Sequence, residues 1–387
     1  MLVIDRMNAD FGNSTFMAMI NGYYVEFATN VVEISKEKAE GFFVAPIDEK
    51  EFLNNILLST KIGEEEKYYL VGEAAKRQIL GNSHIKLHNK TESDIPIATF
   101  LAAVAYYYHL NQDKDEGSEN KVKIKYFSTM LPIWLLVKLN KFSEMQEKMA
   151  KRFLGTHVVN IHTLGLERTL EIEVEESKCR IEGEVARWAL KKTFSLEDNS
   201  EADQFKNHDT VIVDIGGGTI DMSLLPAGLE APKSRESMAF IAEIPYLAHI
   251  EKLQQRLIEH FDNVRELEEF IVKNIGKTKM ERKDGISGKK VDLKEPIMRS
   301  LDEYVSLLIP KIEMAFPAPK DKEYKYCYIG GVASVLQESI ERYIEKEYGQ
   351  EIFNSNHIFP PNGRKLNLYG LEIISIAETR QKQTTAK

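Results

Sequence analysis

The sequence predicts an α/β protein built from two related lobes, and three observations predict it. Asp10-Phe11-Gly12-Asn13-Ser14-Thr15 and Asp214-Ile215-Gly216-Gly217-Gly218-Thr219 share the spelling D-x-G-x-x-T, and each lies between two apolar strands. Strand hairpins feed helices twice along the chain, once in each half, as expected when each half builds its own sheet and covering helices. The length of 387 residues exceeds what most single cores hold.

The elements follow in order. Short apolar strands over 16–20 and 23–27 flank Asn21-Gly22, the favoured pair for a type I′ turn. A β-rich region runs to about Val71, with a charged turn over 61–67, and Gly72-Glu73-Ala74-Ala75-Lys76 begins a helix. Residues 97–110 have helical length and composition, 111–120 reads as a polar acidic loop, and 122–130 reads as one strand ending at Leu131-Pro132. An amphipathic helix is expected over 138–153, then paired strands over 158–164 and 169–174. Glu182-Gly183 comes next, then a helix over 184–192. The polar stretch 198–208 reads as the lobe boundary.

The second half restarts with strands over 210–213 and 220–225 around the glycine turn. It continues as mostly helical over 245–274, a charged glycine-containing hairpin over 277–290, and a helix over 295–314. A strand over 324–329 delivers Gly330-Gly331, a helix covers 333–348, and a last helix follows 362–370 to about Thr379.

Bulk properties narrow the function. Apolar content of 43% and charged content of 29% are ordinary for a globular protein. A net charge of −9 argues against a surface that grips nucleic acid unaided, since phosphate binding needs a cationic footprint. The only cysteines, Cys179 and Cys327, have no metal or redox spacing and read as reduced thiols of a cytoplasmic protein. Asp5 and Arg6 interrupt the opening apolar run before an export signal forms, and no stretch has the apolar length of a membrane span.

The paired turns carry the chemistry. A carboxylate at a strand end followed by a tight glycine turn suits a Mg-nucleotide. The turn exposes backbone N–H groups to phosphate, while the carboxylate faces the metal or its water shell. Gly216, Gly217 and Gly218 allow a backbone approach that any side chain would block. A plain Gly-rich hairpin does not account for Asp214 ending an apolar strand with Thr219 and Asp221 following at once.

Val213-Asp214-Ile215-Gly216-Gly217-Gly218-Thr219-Ile220-Asp221 resembles the second phosphate loop of the actin, sugar-kinase and heat-shock-chaperone ATPase superfamily. Asp10 to Thr15 resembles the first phosphate loop. Glu182-Gly183-Glu184-Val185-Ala186 resembles the first connecting segment, Tyr328-Ile329-Gly330-Gly331 the adenosine loop, and Asn367-Leu368-Tyr369-Gly370 the second connecting segment. Val71-Gly72-Glu73-Ala74-Ala75 is similar to a helix start in bacterial members. These blocks span almost the whole chain in the family's order. Total length and Phe153-Leu154-Gly155-Thr156-His157-Val158 look most like the ParM-type plasmid-segregation actins, in particular their Alp-type members.

The resemblance implies an actin-like, ribonuclease H-like ATPase fold with the nucleotide in the cleft between the lobes. It implies first-lobe core segments 1–30 and 97–197 with a small subdomain over 31–96. The second lobe is 198–364, with its own smaller subdomain at about 232–294, and 365–387 returns to the first lobe. It implies that Asp10 and Asp214 order Mg2+ through its waters, with Asp214 also helping to place the attacking water. Backbone amides of Gly12, Asn13 and Ser14, and of Gly216, Gly217 and Gly218, hold the phosphates of ATP. The Ser14 hydroxyl is an added donor, and Thr15 and Thr219 close their loops, Thr219 with a further hydroxyl. Glu182 orients the water, Glu184 is its rival in second place, and Gly330 and Gly331 let adenosine lie against the backbone. Some members carry a lysine shortly after the first loop. Phe16, Met17, Ala18 and Met19 occupy that strand here, so charge neutralisation is expected from metal and backbone. Lys277, Lys279 and Glu281 are candidates to border the purine.

The function implied is ATP-driven polymerisation into dynamic filaments that move plasmid copies through a DNA-binding adaptor. No direct nucleic-acid contact and no membrane contact are expected. The alternatives are a sugar-type kinase of the same fold, for which no substrate base or sugar loop is visible, and a cell-shape or division actin, which would bring a membrane helix. A chaperone-type ATPase would need a peptide-binding domain beyond the second connecting segment.

Overall fold

The computed structural model describes residues 1–79, 89–111, 120–139, 141–285 and 287–385. The loop expected at 111–120 lies almost wholly outside the described residues.

The two lobes repeat one sheet. In the first, the order is Ser177–Ile181, Phe127–Leu131, Met7–Phe11, Thr15–Ile20 and Tyr23–Ala28. In the second it is His357–Ile358, Lys325–Ile329, Thr210–Ile215, Ile220–Leu225 and Met238–Ile241. In both, the first three strands are parallel and the last two return antiparallel. Each motif aspartate is therefore the penultimate residue of a central strand, whose C-terminal end faces the gap between lobes. Parallel strands demand crossover helices, and those helices cover the sheets.

The turn at Asn21-Gly22 has φ of 49° and 84°, the left-handed pair that a type I′ hairpin requires. The region read as one strand at 122–130 is two. Lys121–Ile124 belongs to a seven-stranded sheet that also contains Leu2–Ile4, Arg168–Val174, Gly155–Ile161, Ile56–Ile62, Glu65–Val71 and Val31–Ile34, and Phe127–Leu131 belongs to the core sheet. The chain passes from the seven-stranded sheet into the core sheet at three places, across Asp5-Arg6, Lys125-Tyr126 and Glu175-Glu176. Charged residues interrupt the apolar run at each crossing, and Lys125 pairs with Asp5 at 2.7 Å on the surface.

The helix expected over 138–153 is replaced by Ile133–Leu139 and Phe142–Lys151. Pro132 ends the strand ladder and suits the entry to a helix, so the helical chain starts earlier than its amphipathic pattern suggests. The last helix is Leu366–Thr385 and takes in 366–370 of the stretch read separately at 362–370, while Gly363–Lys365 forms a 3-10 turn before it.

Helix Ile95–Asn111 is buried on nearly every face, from Ile97 to Tyr108, which fits its near-absence of polar residues. It shares a core with the first-lobe sheets, while helix Lys294–Ala315 and helix Ala333–Tyr348 close a second core under the second-lobe sheet. A smaller apolar seam joins helix Ala186–Lys191 to the closing helix through Ala189, Leu190, Leu366 and Ile373. There the backbones touch: a Cβ on Gly370 would sit 2.0 Å from the Val185 carbonyl oxygen. Only glycine fits at that crossing.

Candidate functional site

Each hairpin turn presses a glycine against backbone: a Cβ on Gly12 would meet the Thr15 carbonyl oxygen at 2.4 Å, and one on Gly216 would meet the Thr219 carbonyl oxygen at 3.0 Å. The second turn is closed by Gly216 N–H donating to the Thr219 carbonyl at 3.0 Å and anchored by Leu247 N–H donating to the Gly217 carbonyl at 2.9 Å. Thr29 straps the first, donating Oγ1–H to the Gly12 carbonyl at 2.7 Å and its N–H to the Ser14 carbonyl at 3.0 Å.

Three further segments converge on the gap. Glu182 follows strand Ser177–Ile181, and its side chain pairs with Lys90 at 2.6 Å. Asn367, in the first turn of the closing helix, donates Nδ2–H to Asp214 Oδ2 at 2.6 Å and accepts the Gly183 N–H on Oδ1 at 2.9 Å. One amide thus joins the second-lobe aspartate to the turn that carries Glu182. Gly330, with φ of 92°, lies so close to Asp214 that a Cβ would sit 2.3 Å from Oδ1. Asp221 lies across the ladder from Asp214 and accepts the Trp134 N–H at 2.9 Å.

Asp10, Gly12, Asn13, Ser14, Thr15, Glu182, Asp214, Gly216, Gly217, Gly218, Thr219, Gly330 and Gly331 all line one cleft of about 510 Å³ between the lobes. Lys90, Trp134, Asp221, Arg364 and Asn367 join them, and helix Val264–Asn274 supplies the far wall through Arg265, Glu268, Glu269, Val272 and Lys273. The volume is that of a small-molecule site.

The floor carries an excess of negative charge. Burial, then Glu182 and Asp214, push the Asp10 carboxyl up to about 7, against the pull of Lys90 and Arg364. Burial and Glu182 likewise raise Asp214 to about 7, opposed by the Asn367 hydrogen bond and by Lys90. Asp221 is raised well above the ordinary carboxylate range by burial, Glu182 and Asp214. Burial opposes the charge on Lys90, yet Glu182 and Asp10 outweigh it and hold the ammonium above its ordinary pKa. Several carboxylates share one buried ammonium, the condition under which a divalent cation is most welcome. Among the described residues no three His, Cys, Asp or Glu side chains converge to hold a metal directly. The buried carboxylates of Asp10 and Asp214, both lining the cleft, are hard oxygen donors of the kind that suits a hydrated divalent cation.

Three sequence expectations change. The charge-neutralising cations missing from the first hairpin are present elsewhere: Lys90 comes from the segment before helix Ile95–Asn111. Arg364, from the stretch before the closing helix, donates to Thr15 Oγ1 and pairs with Glu26, both at 2.8 Å. Lys277, Lys279 and Glu281 border a separate shallow depression with Asn274 and Thr278, and the cleft wall is supplied by helix Val264–Asn274. Glu184 pairs with Arg187 at 2.6 Å and does not line the cleft. Burial raises the Cys179 thiol far above its ordinary pKa, which leaves it inert. Lys90 sits in a polar run, Asn89-Lys90-Thr91-Glu92-Ser93-Asp94, that matches no motif. Asp221 was visible as the last letter of the second loop, and Asn367 as the first of the second connecting segment.

A duplicated five-stranded sheet whose two D-x-G-x-x-T hairpins face each other across a cleft defines the actin-like class of protein. A family profile described as the Alp7A C-terminal domain matches residues 209–363. A crystal structure of the actin-like protein Alp7A is 56% identical, covers 100% of this chain and 99% of its own, and superposes with a TM-score of 0.93. The chain belongs to the Alp7A family of actin-like proteins. It is also similar in fold to a 15-stranded ParM filament from Clostridium botulinum, at 18% identity over 98% of this chain and 100% of that one, with a TM-score of 0.65. The ParM of Bacillus thuringiensis solved with AMPPNP gives 13% identity, 97% and 98% coverage and a TM-score of 0.63. No curated protein sequence matches the chain.

Proposed function

We propose that this chain is an ATP-hydrolysing actin that polymerises with Mg-ATP and moves plasmid copies through a DNA-binding adaptor. The observation that carries the reading is the convergence of both aspartate turns, both connecting segments and the Gly330-Gly331 loop on one carboxylate-rich cleft. Relatives described as a filament and as nucleotide complexes support it.

In this reading Asp10 and Asp214 hold the hydrated Mg2+, which when bound neutralises phosphate charge. Backbone N–H groups of the two turns hold the phosphates, with Ser14 and Thr219 hydroxyls adding to them. Glu182 orients the water. The water oxygen bonds to the terminal phosphorus as the bond to the bridging oxygen breaks, its electrons leaving on ADP, and the water proton passes toward Glu182. Catalysis rests on positioning and charge neutralisation rather than covalent chemistry. In the same reading segments 1–30, 31–96, 97–197 and 365–387 make the first lobe and 198–364 the second, and the Asn367 hydrogen bonds to Asp214 and Gly183 support a link between them. A net charge of −9 supports an adaptor rather than direct DNA contact. Work in the cytoplasm belongs to the same reading. Among the described residues no helix is long and apolar enough to cross a membrane.

The test is sedimentation with Mg-ATP and with Mg-ADP, for the natural chain and for Glu182→Ala. Polymer is expected with ATP, and the Glu182 variant should slow phosphate release about 10²-fold and lengthen polymer lifetime. Protein that stays soluble in every nucleotide while phosphorylating a sugar would instead establish the kinase alternative.

A further inference from the structure

Lys90 is the one described lysine at the cleft floor, and nothing in the motif set accounts for it. Its side chain is only 7% exposed and its partner Glu182 14%. Burying such a pair is costly unless geometry and further bonds hold it, and the surroundings show that hold. Arg152 grips the Lys90 carbonyl through Nη1 at 2.5 Å and the Ser93 carbonyl through Nη2 at 2.6 Å. Asn89 Oδ1 accepts from Thr91 Oγ1–H at 2.8 Å and from Thr91 N–H at 3.1 Å. Asp94 is tied to Lys67 at 2.8 Å and to Tyr69 at 2.9 Å. The segment is a platform that aims one ammonium into the cleft.

The first hairpin leaves a vacancy that this ammonium fills. Across the ladder from Asp10 stands Met17, an apolar residue facing the cleft. The other candidates are occupied or distant: Arg364 is tied to Thr15 and Glu26, and Arg265 and Lys273 stand on the far wall.

We propose that Lys90 supplies the phosphate-facing cation absent from the first hairpin. Its ammonium, paired with Glu182 at 2.6 Å, turns to the terminal phosphate of a nucleoside triphosphate and thereby frees the Glu182 carboxylate for the attacking water. Phosphate carries more charge than one carboxylate, so the exchange is favourable only for a ligand with a terminal phosphate in reach. Lys90 thus couples triphosphate recognition to release of the water-orienting acid. This rests on the nucleotide reading above.

The experiment is a fluorescence-displacement titration of the full chain with AMPPNP and with ADP, both with Mg2+, for the natural chain, Lys90→Met and Lys90→Arg. Lys90→Met should lose about tenfold or more in AMPPNP affinity, as expected for a charge-assisted phosphate contact. ADP affinity should change by less than about twofold, and Lys90→Arg should recover part of the loss. Equal losses for the two nucleotides, or none, overturn the proposal. Because Lys90→Met leaves a buried carboxylate unpaired, Lys90→Met/Glu182→Gln is measured beside it. The same selective loss of AMPPNP in that variant supports the assignment, and AMPPNP binding as tight as in the natural chain refutes it. A natural chain that binds neither nucleotide sinks the nucleotide reading itself, and the proposal with it.

Discussion

The two aspartate hairpins are equivalent in topology and unequal in chemistry. Each ends a central strand with an aspartate at the penultimate position, and each returns antiparallel after a turn. Opposite Asp10 lies Met17, whereas opposite Asp214 lies Asp221. The second hairpin therefore brings two carboxylates to the cleft and the first brings one. Asp214 is also built into its surroundings by Asn367 and by the Gly330 backbone pressed against it. Lys90 opposes the raised pKa of both aspartates, and Asp10 has Arg364 opposing it as well. The two halves share one framework, but their side chains make the second the anchor between the lobes and leave the first beside cations from distant segments.

The largest test of this asymmetry is removal of each aspartate. Asp214→Ala should reduce phosphate release by about 10²-fold or more, the scale seen when a preorganised charge contact is lost from a closed site. It also frees Asn367 from one of its two partners. Asp10→Ala should cost less, because the Lys90–Glu182 pair and the Asn367 joint survive. Equal losses in a phosphate-release assay would break the comparison, and unchanged turnover in Asp214→Ala would remove that residue from the site.

A pH series sharpens it further. Asp10 and Asp214 rise from an ordinary 3.8 to about 7 in the folded chain. Between those values the folded state binds more protons than the unfolded state. The stability this represents is fully present below about 3.8 and is lost as pH rises through about 7. Without nucleotide and in the presence of a chelator, the melting temperature should fall from about pH 5 to about pH 8. Asp221→Asn should flatten the fall, since Asp221 is itself raised well above the ordinary carboxylate range and the proton it binds only in the folded chain is removed. A melting temperature that rises over this range, or a slope unchanged in Asp221→Asn, contradicts the charge crowding described for the second hairpin.

The smallest effect is expected at the mouth of the cleft, where the lobes meet through exposed charges. Lys76 pairs with Glu269 at 2.8 Å, with side chains 32% and 53% exposed. Nearby, Arg265 donates to Asn30 Oδ1. Lys76→Ala should lower stability by about 0–1 kcal/mol, read by denaturant melts, and less in high salt. A loss several times larger would mean that the mouth, rather than the floor, holds the lobes together.

Much of this was legible in sequence because the informative features are local. Asn21-Gly22 demands a hairpin whatever surrounds it, three consecutive glycines demand close approach, and helix Ala333–Tyr348 was bounded correctly from periodicity. The strands were harder. Lys121–Ile124 and Phe127–Leu131 form one apolar run in sequence, and only their partners in space assign them to different sheets. Helix Ile133–Leu139 was hidden because a strongly apolar segment shows no helical period. Lys90 was hidden for a different reason: a lysine in a polar run looks like solvent-facing charge until Arg152, Lys67 and Tyr69 fasten its segment over the cleft.

By itself the sequence determined that the chain has two lobes, where the two phosphate-type turns lie, and which acid follows the first connecting strand. Backbone conformation at glycine and the order of the motifs are properties of neighbouring residues, so they survive without coordinates. The tertiary structure decided which charges meet. It set Asp221 opposite Asp214 and Met17 opposite Asp10, joined Asp214 to the Glu182 turn through Asn367, and brought Lys90 across 92 positions of chain to Glu182. The physical reason is that electrostatic interaction depends on distance and burial in space, and separation along the chain carries almost no information about either.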